Sequence, residues 1–240
     1  MEIAIVMGVG AERGMGAQLA RRAAVDGFHV VVSGRTQEKL AGVVASIEQA
    51  GGGPTAVVAD ATSEADTEAL FASAADLGTL KLAIYNTGTN TPGRIEDMTA
   101  EFFEQSWRVC CFGGFLFGRA AVKSLKAAGG GALLFTGASA SLRGVANFGA
   151  FNSSKAGLRS LAQALAKEYG SAGIHVGHVV IDGAINGDMV NERYPEHAER
   201  LGQQGMLDID AIVDAYQYLW RQPASGWTFE VDVRTAIEAW

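Results

Sequence analysis

Ile3-Ala4-Ile5-Val6-Met7-Gly8-Val9-Gly10-Ala11-Glu12-Arg13-Gly14-Met15-Gly16 decides how the chain is read, because an apolar run of strand length turns abruptly into a glycine-rich loop. The residues that follow, to about Asp26, carry apolar side chains at the 3.6-residue period of a helix. Strand, tight turn and helix in that order put free backbone N–H groups and the positive end of a helix dipole where a pyrophosphate can sit. The register Gly-x-Gly-x-x-Gly fails from Gly8, since its third position is Arg13, whereas Gly10-x-x-x-Gly14-x-Gly16 fits. On this reading Gly10 permits the turn, and Gly14 and Gly16, with Met15 between them, let the backbone approach the phosphates and the first strand.

Outward from this loop, strand-like runs at residues 3–9, 29–33, 55–58, 80–85, 132–136, 175–181 and 228–231 alternate with helical patterns at 14–26, 37–50, 64–76, 100–128, 149–169 and 209–222. The runs are nearly continuous in apolar residues, as parallel strands covered on both faces require. Such alternation makes right-handed βαβ units and a doubly wound α/β sheet, expected as one domain over residues 1–240. Pro54, Pro92, Pro195 and Pro223 all avoid element interiors. The long connection 185–207 has charges, glycines and Pro195 but no strand pattern, and it reads as a short-helix lid over a substrate.

Bulk chemistry excludes several partners. A formal charge of −7 disfavours nucleic acid and anionic membrane, which need clustered Lys and Arg. No apolar run approaches the roughly 18–20 residues that span a bilayer. The opening Met1-Glu2-Ile3 has no basic segment of a signal peptide. Cys110 and Cys111 are adjacent and expected as thiols in a reducing cytoplasm, and with four scattered histidines they offer no metal-ligand spacing.

The cofactor type is read at the end of the second strand. A site for NAD(H) usually places a carboxylate there for the ribose 2′-hydroxyl. Here Ser33-Gly34-Arg35-Thr36 has none, and Arg35 with Arg13 of the glycine loop can clamp a 2′-phosphate, so NADP(H) is expected over NAD(H).

These residues, with others along the chain, resemble the short-chain dehydrogenase/reductases from Ile3 to about Asp232. Asp60-Ala61 is similar to the family's adenine contact, and Asn86-Thr87-Gly88 resembles the end of its Asn-Asn-Ala-Gly motif, with Tyr85 in place of the first Asn. Lys155 matches the lysine that holds the nicotinamide ribose. Asp182-Gly183 stands where the family has Pro-Gly, with Asp188-Met189 following at the usual spacing. The resemblance implies a Rossmann fold with strand order 3-2-1-4-5-6-7, a small-molecule substrate, and dimers or tetramers built partly on the helices at 100–128 and 149–169.

The reactive group departs from the pattern. Counted back from Lys155, the family's tyrosine falls on Phe151 and its serine on Ala138, with Ser139 one residue later; its helix asparagine falls on Cys110. A Phe-x-x-x-Lys pair cannot protonate a carbonyl. Tyr85, Tyr194, Cys110 or Lys155 acting through a water are the alternatives, and Arg143 can orient an anion or lie on the surface. His29, His175, His178 and His197 have no partner pattern; His175 and His178 read as structural. Two functions stay open. One is an NADP(H)-dependent oxidoreductase acting on a small carbonyl, imine or enone with a non-standard proton donor. The other is a sensor or interaction module that binds NADP(H) without turnover.

Overall fold

Aliphatic runs become the strands of a parallel sheet in the computed structural model, which describes residues 1–238. The elements are β1 (Glu2–Met7), α1 (Met15–Val25), β2 (His29–Gly34), α2 (Gln37–Gln49), β3 (Pro54–Val58), α3 (Glu64–Leu77) and β4 (Thr79–Tyr85) in the first half. The second half has α4 (Ala100–Trp107), α5 (Gly113–Ala127), β5 (Gly131–Thr136), α6 (Gly149–Tyr169), β6 (Ile174–Asp182), β7 (Ala184–Ile185), α7 (Asp188–Arg193), α8 (Pro195–Leu201), β8 (Met206–Leu207), α9 (Ile209–Trp220) and β9 (Glu230–Arg234). The seven-stranded sheet runs β3-β2-β1-β4-β5-β6-β9, the Rossmann order expected, because the two-residue strands β7 and β8 pair only with each other.

Alternation along β1 shows how both faces are filled. Ala4 and Val6 pack with Leu19 of α1, Leu40 of α2 and Ile212 of α9. Ile3, Ile5 and Met7 join Phe71 of α3, Phe117 of α5 and Leu158 of α6 on the other side. The strand is apolar at every one of these positions because neither face meets water.

Four details differ from the sequence reading. The first strand ends at Met7 rather than residue 9, because Gly8 takes φ +100° and breaks the extended run. The single helix expected at 100–128 is interrupted by a π-helical turn at Arg108–Phe112. The last strand starts at Glu230, two residues later than expected, although the Phe229 carbonyl already accepts the His178 N–H across to β6. The connection at 185–207 contains two short helices and is closed at its ends by Ala184 and Ile185 of β7 pairing with Met206 and Leu207 of β8. Pro54 opens β3 and Pro195 opens α8, positions where a missing N–H costs nothing.

Helix N-termini are treated unequally. Ser63, Thr99 and Asp208 cap α3, α4 and α9 with side-chain oxygens. At α1 the N-cap is Gly14, with no capping side chain and no acidic residue in the first turn.

Candidate active site

The carboxyl ends of β1, β4 and β5 meet at the α1 N-terminus. Two glycines allow this. A Cβ on Gly8 would stand 2.7 Å from the Asn86 carbonyl, and one on Gly16 would stand 2.5 Å from the Gly8 oxygen. The turn therefore requires glycine at Gly8 on φ and contact grounds, a correction to the role given to Gly10. No atom lies within 4 Å of where a Gly10 Cβ would be, so that stretch of loop is open, and Gly14 packs on the Ala11 oxygen. Asn86 ties the arrangement together: its Nδ2 donates to the Gly8 carbonyl at 3.1 Å, and its Oδ1 accepts from the Thr136 hydroxyl at 3.0 Å. Thr136 in turn accepts from the Tyr216 hydroxyl at 2.6 Å.

Lys155 rises from α6 into the same region. It is 3 % exposed, and its Nζ donates to the Thr136 carbonyl at 2.7 Å. Burial pushes its pKa down, an effect opposed by the neighbouring Cys110. A Cβ on Gly88 would come within 3.2 Å of Nζ and 3.9 Å of the Cys110 sulfur, so the glycine makes room for the ammonium. Cys110 is fully buried in the π-helical turn, with its sulfur 4.0 Å from the Thr89 carbonyl. One turn before the lysine, the half-buried Phe151 puts its ring centre 6.0 Å from Nζ. Ser139 opens the 3₁₀ turn Ser139–Ser141, three residues beyond Thr136, and is half-buried.

The residues expected to contact a cofactor follow the carboxyl ends of β1, β2, β3 and β6. Arg35 is exposed just beyond β2, and the Arg13 side chain is 77 % exposed. The Asp60 carboxylate accepts from the Thr62 N–H and hydroxyl, while Ala61 is buried beside it. Gly183 follows β6 with φ +152°. The segment beyond is docked on the glycine loop: Asp188 accepts the Arg13 N–H at 3.1 Å and its own N–H bonds the Arg13 carbonyl.

Of three groups weighed as proton donors or anion ligands, Tyr85 and Arg143 have polar partners of their own. Tyr85 is fully buried against Phe117 and Phe135; its hydroxyl donates to the Val109 carbonyl at 2.6 Å and burial drives its pKa up. Tyr194 sits half-buried between α7 and α8 under the Arg193 guanidinium. Arg143 donates from Nη2 to both carboxylate oxygens of Asp182, at 2.9 and 3.0 Å, and Asp182 is 2 % exposed.

One histidine has the partners that its sequence did not reveal. His178 faces Glu230 across the β6–β9 ladder, where the two are register partners, and Nδ1 lies 2.8 Å from the carboxylate. Arg159 of α6 grips the same carboxylate at 2.6 and 2.8 Å. On its other side the imidazole Nε2 is 3.4 Å from the Ser141 hydroxyl. His178 is fully buried, and desolvation pulls its pKa down to about 4 against the opposing effect of Glu230.

With the geometry in place, the comparison with known proteins is direct: the sequence matches the short chain dehydrogenase profile over residues 3–198. The chain belongs to the short-chain dehydrogenase family. It is 33 % identical over 165 residues to the pig dehydrogenase/reductase SDR family member 4; the match takes in 68 % of this chain and 59 % of that relative's length. A crystallised short-chain dehydrogenase from Rhodopseudomonas palustris is 36 % identical with TM-score 0.83, covering 97 % of this chain and 98 % of the other. A 7α-hydroxysteroid dehydrogenase crystallised with NADH and 7-oxo glycochenodeoxycholic acid is 28 % identical with TM-score 0.88, covering 98 % and 93 %.

In this short-chain dehydrogenase Gly88 and Cys110 lie beside Lys155, Phe151 is one helical turn away, and Asn86 is linked to the lysine through Thr136. Gly34 was missed: a Cβ there would stand 2.1 Å from the Val9 oxygen, so the second strand needs glycine to pass the loop. Its signal was present as a glycine immediately before Arg35. Among the described residues no helix is long and apolar enough to cross a membrane, and no group of three His, Cys, Asp or Glu side chains is placed to hold a metal ion.

Proposed function

We propose that this short-chain dehydrogenase is an NADP(H)-dependent oxidoreductase acting on a small carbonyl, imine or enone, with its proton handled by a group other than the residue-151 side chain. The observation that carries the reading is the convergence of an uncapped α1 N-terminus, the open Gly10 loop and a buried Lys155 at one end of the sheet. The residues fit the cofactor. No residue in the first turn of α1 is acidic, so its free amides would be available to an anion, with the Asp188 carboxylate taken up by the Arg13 N–H, and glycines hold the loop close to Asn86. Arg13 and Arg35 would hold a 2′-phosphate, Asp60 and Ala61 the adenine, and Lys155 the nicotinamide ribose, with Gly183 at the nicotinamide end. A bound nicotinamide cofactor supplies or accepts the hydride.

The chain's own residues then orient and enclose. Lys155, braced on Thr136, presents its ammonium to the ribose hydroxyls, and the short helices α7 and α8 exclude water from a substrate. An activated enone or an already protonated imine tolerates Phe151, because a positioned acid contributes roughly 10²–10⁴-fold rather than the whole rate. Titration of the protein with NADPH and NADH by calorimetry tests this reading; it is abandoned if neither binds at millimolar concentration.

Phe151 supports a second reading, a cofactor-binding sensor or interaction module without turnover. Cofactor binding combined with no NADPH oxidation over a broad carbonyl, imine and enone panel would select it. We further infer a reducing, cytoplasmic setting for Cys110 and Cys111. Self-association as a dimer or tetramer would occur through the half-exposed Phe103, Trp107 and Phe115 of α4 and α5. Light scattering checks the second point.

A further inference from the structure

We infer that His178 is a positioning residue for the turn that borders the active site: clamped by Glu230, it holds Ser141, and Ser141 holds the backbone immediately before Ser139. This rests on the cofactor reading above, in which Lys155, bonded to the Thr136 carbonyl just before that turn, would hold the nicotinamide ribose.

The direction of each bond follows from its neighbours. Glu230 is gripped by Arg159 and accepts hydrogen bonds, so the imidazole proton resides on Nδ1. Nε2 is then a bare acceptor and takes the Ser141 hydroxyl proton. With its hydrogen committed, the Ser141 oxygen accepts the Ala138 N–H at 3.2 Å. The result is a one-way chain from Arg159 on α6, through Glu230 on β9 and His178 on β6, to the backbone at Ala138.

The packing leaves this chain no slack. A Cβ on Gly137 would lie 2.3 Å from the imidazole, so the ring sits directly beneath the turn. His178 is fully buried and Ser141 is 5 % exposed, so water does not replace the imidazole–hydroxyl link, while Glu230 and Arg159 at the outer end of the chain are half-buried. One further link joins the turn to the site: the Thr136 carbonyl, two residues before Ala138, receives Lys155; the Ser139 carbonyl closes the turn on itself by accepting the Leu142 and Arg143 N–H groups. A histidine that merely filled the core would need neither the Glu230 clamp nor an acceptor aimed at a serine.

The test uses bound NADPH as the reporter, because its nicotinamide emission senses the turn while its affinity is set mainly by the phosphate and adenine contacts. In His178→Phe the ring volume is kept and both bonds are lost. NADPH affinity should stay within about twofold of wild type, while the bound emission shifts in intensity and maximum. Ser141→Ala cuts the chain one link later without disturbing Glu230 and should give the same shift. His178→Gln, which keeps an acceptor for Ser141, should restore the wild-type spectrum. If wild type and both cut variants bind NADPH with one spectrum, the positioning role is wrong and the cofactor reading stands. If wild type binds no NADPH, both fall together.

Discussion

The Lys155 ammonium lies 6.0 Å from the centre of the Phe151 ring, one helical turn apart on α6. That spacing puts both side chains on the same helix face. The ring packs on the face that carries the lysine, which is 3 % exposed.

Phe151→Tyr adds a hydroxyl on that face. Its phenolic pKa would be lowered by the adjacent ammonium, making it a usable acid. Carbonyl reduction with NADPH should rise by about 10²–10⁴-fold, read as kcat/KM over a panel of small ketones. An unchanged rate with undiminished cofactor binding would point to the non-catalytic reading.

Arg35→Ala tests the cofactor preference. Losing a charge-assisted bond worth about 1.5–3 kcal/mol should weaken NADPH by roughly 10- to 100-fold and leave NADH unaffected. Equal losses for both cofactors in calorimetry would remove Arg35 from the phosphate site.

His178 gives a stability effect whose sign is fixed. Its folded pKa is about 4, below the ordinary value of 6.5. Between those two pH values the unfolded chain binds more protons, so stability falls as pH drops from 6.5 towards 4. The shift corresponds to at most about 3 kcal/mol. The charged groups acting on the ring are Glu230, Arg159 and Lys155, and Glu230 itself, held low by Arg159, adds loss in the same direction near its own titration. His178→Phe should therefore show a flatter urea-midpoint profile than wild type over that window; parallel profiles would contradict the burial assigned to the ring.

Arg143→Met removes the main partner of a buried carboxylate. Asp182 keeps Arg234 at 3.7 Å, so the cost should be below the 3–5 kcal/mol typical of a broken buried pair, about 2 kcal/mol. For a chain of this size that lowers Tm by roughly 4–8 °C in calorimetry.

Residues 3–7 and the glycines after them were legible because parallel strands and phosphate loops impose local rules: continuous apolar runs, and small residues where backbone meets backbone. Lys155 and Phe151 were legible as a pair because both lie on one helix face. His178 was not. Its partners Ser141 and Glu230 lie 37 and 52 residues away, and they meet it only because β6 runs between β5, which leads into the Ser141 turn, and β9, in a register that no local pattern announces. The same holds for Arg143 with Asp182, joined across 39 residues. The π-helical turn at Cys110 left no trace either, since five residues of helix look alike whichever carbonyl each N–H chooses.

The pairing of β7 with β8 has an evolutionary consequence. Because Ala184 and Ile185 lie alongside Met206 and Leu207, the chain leaves the Rossmann body and returns to it at nearly the same point. Residues 189–205 can accordingly be traded for a cassette of different length and polarity while Asp188 stays docked on the glycine loop, so catalytic repertoire and nucleotide grip can diversify on separate schedules.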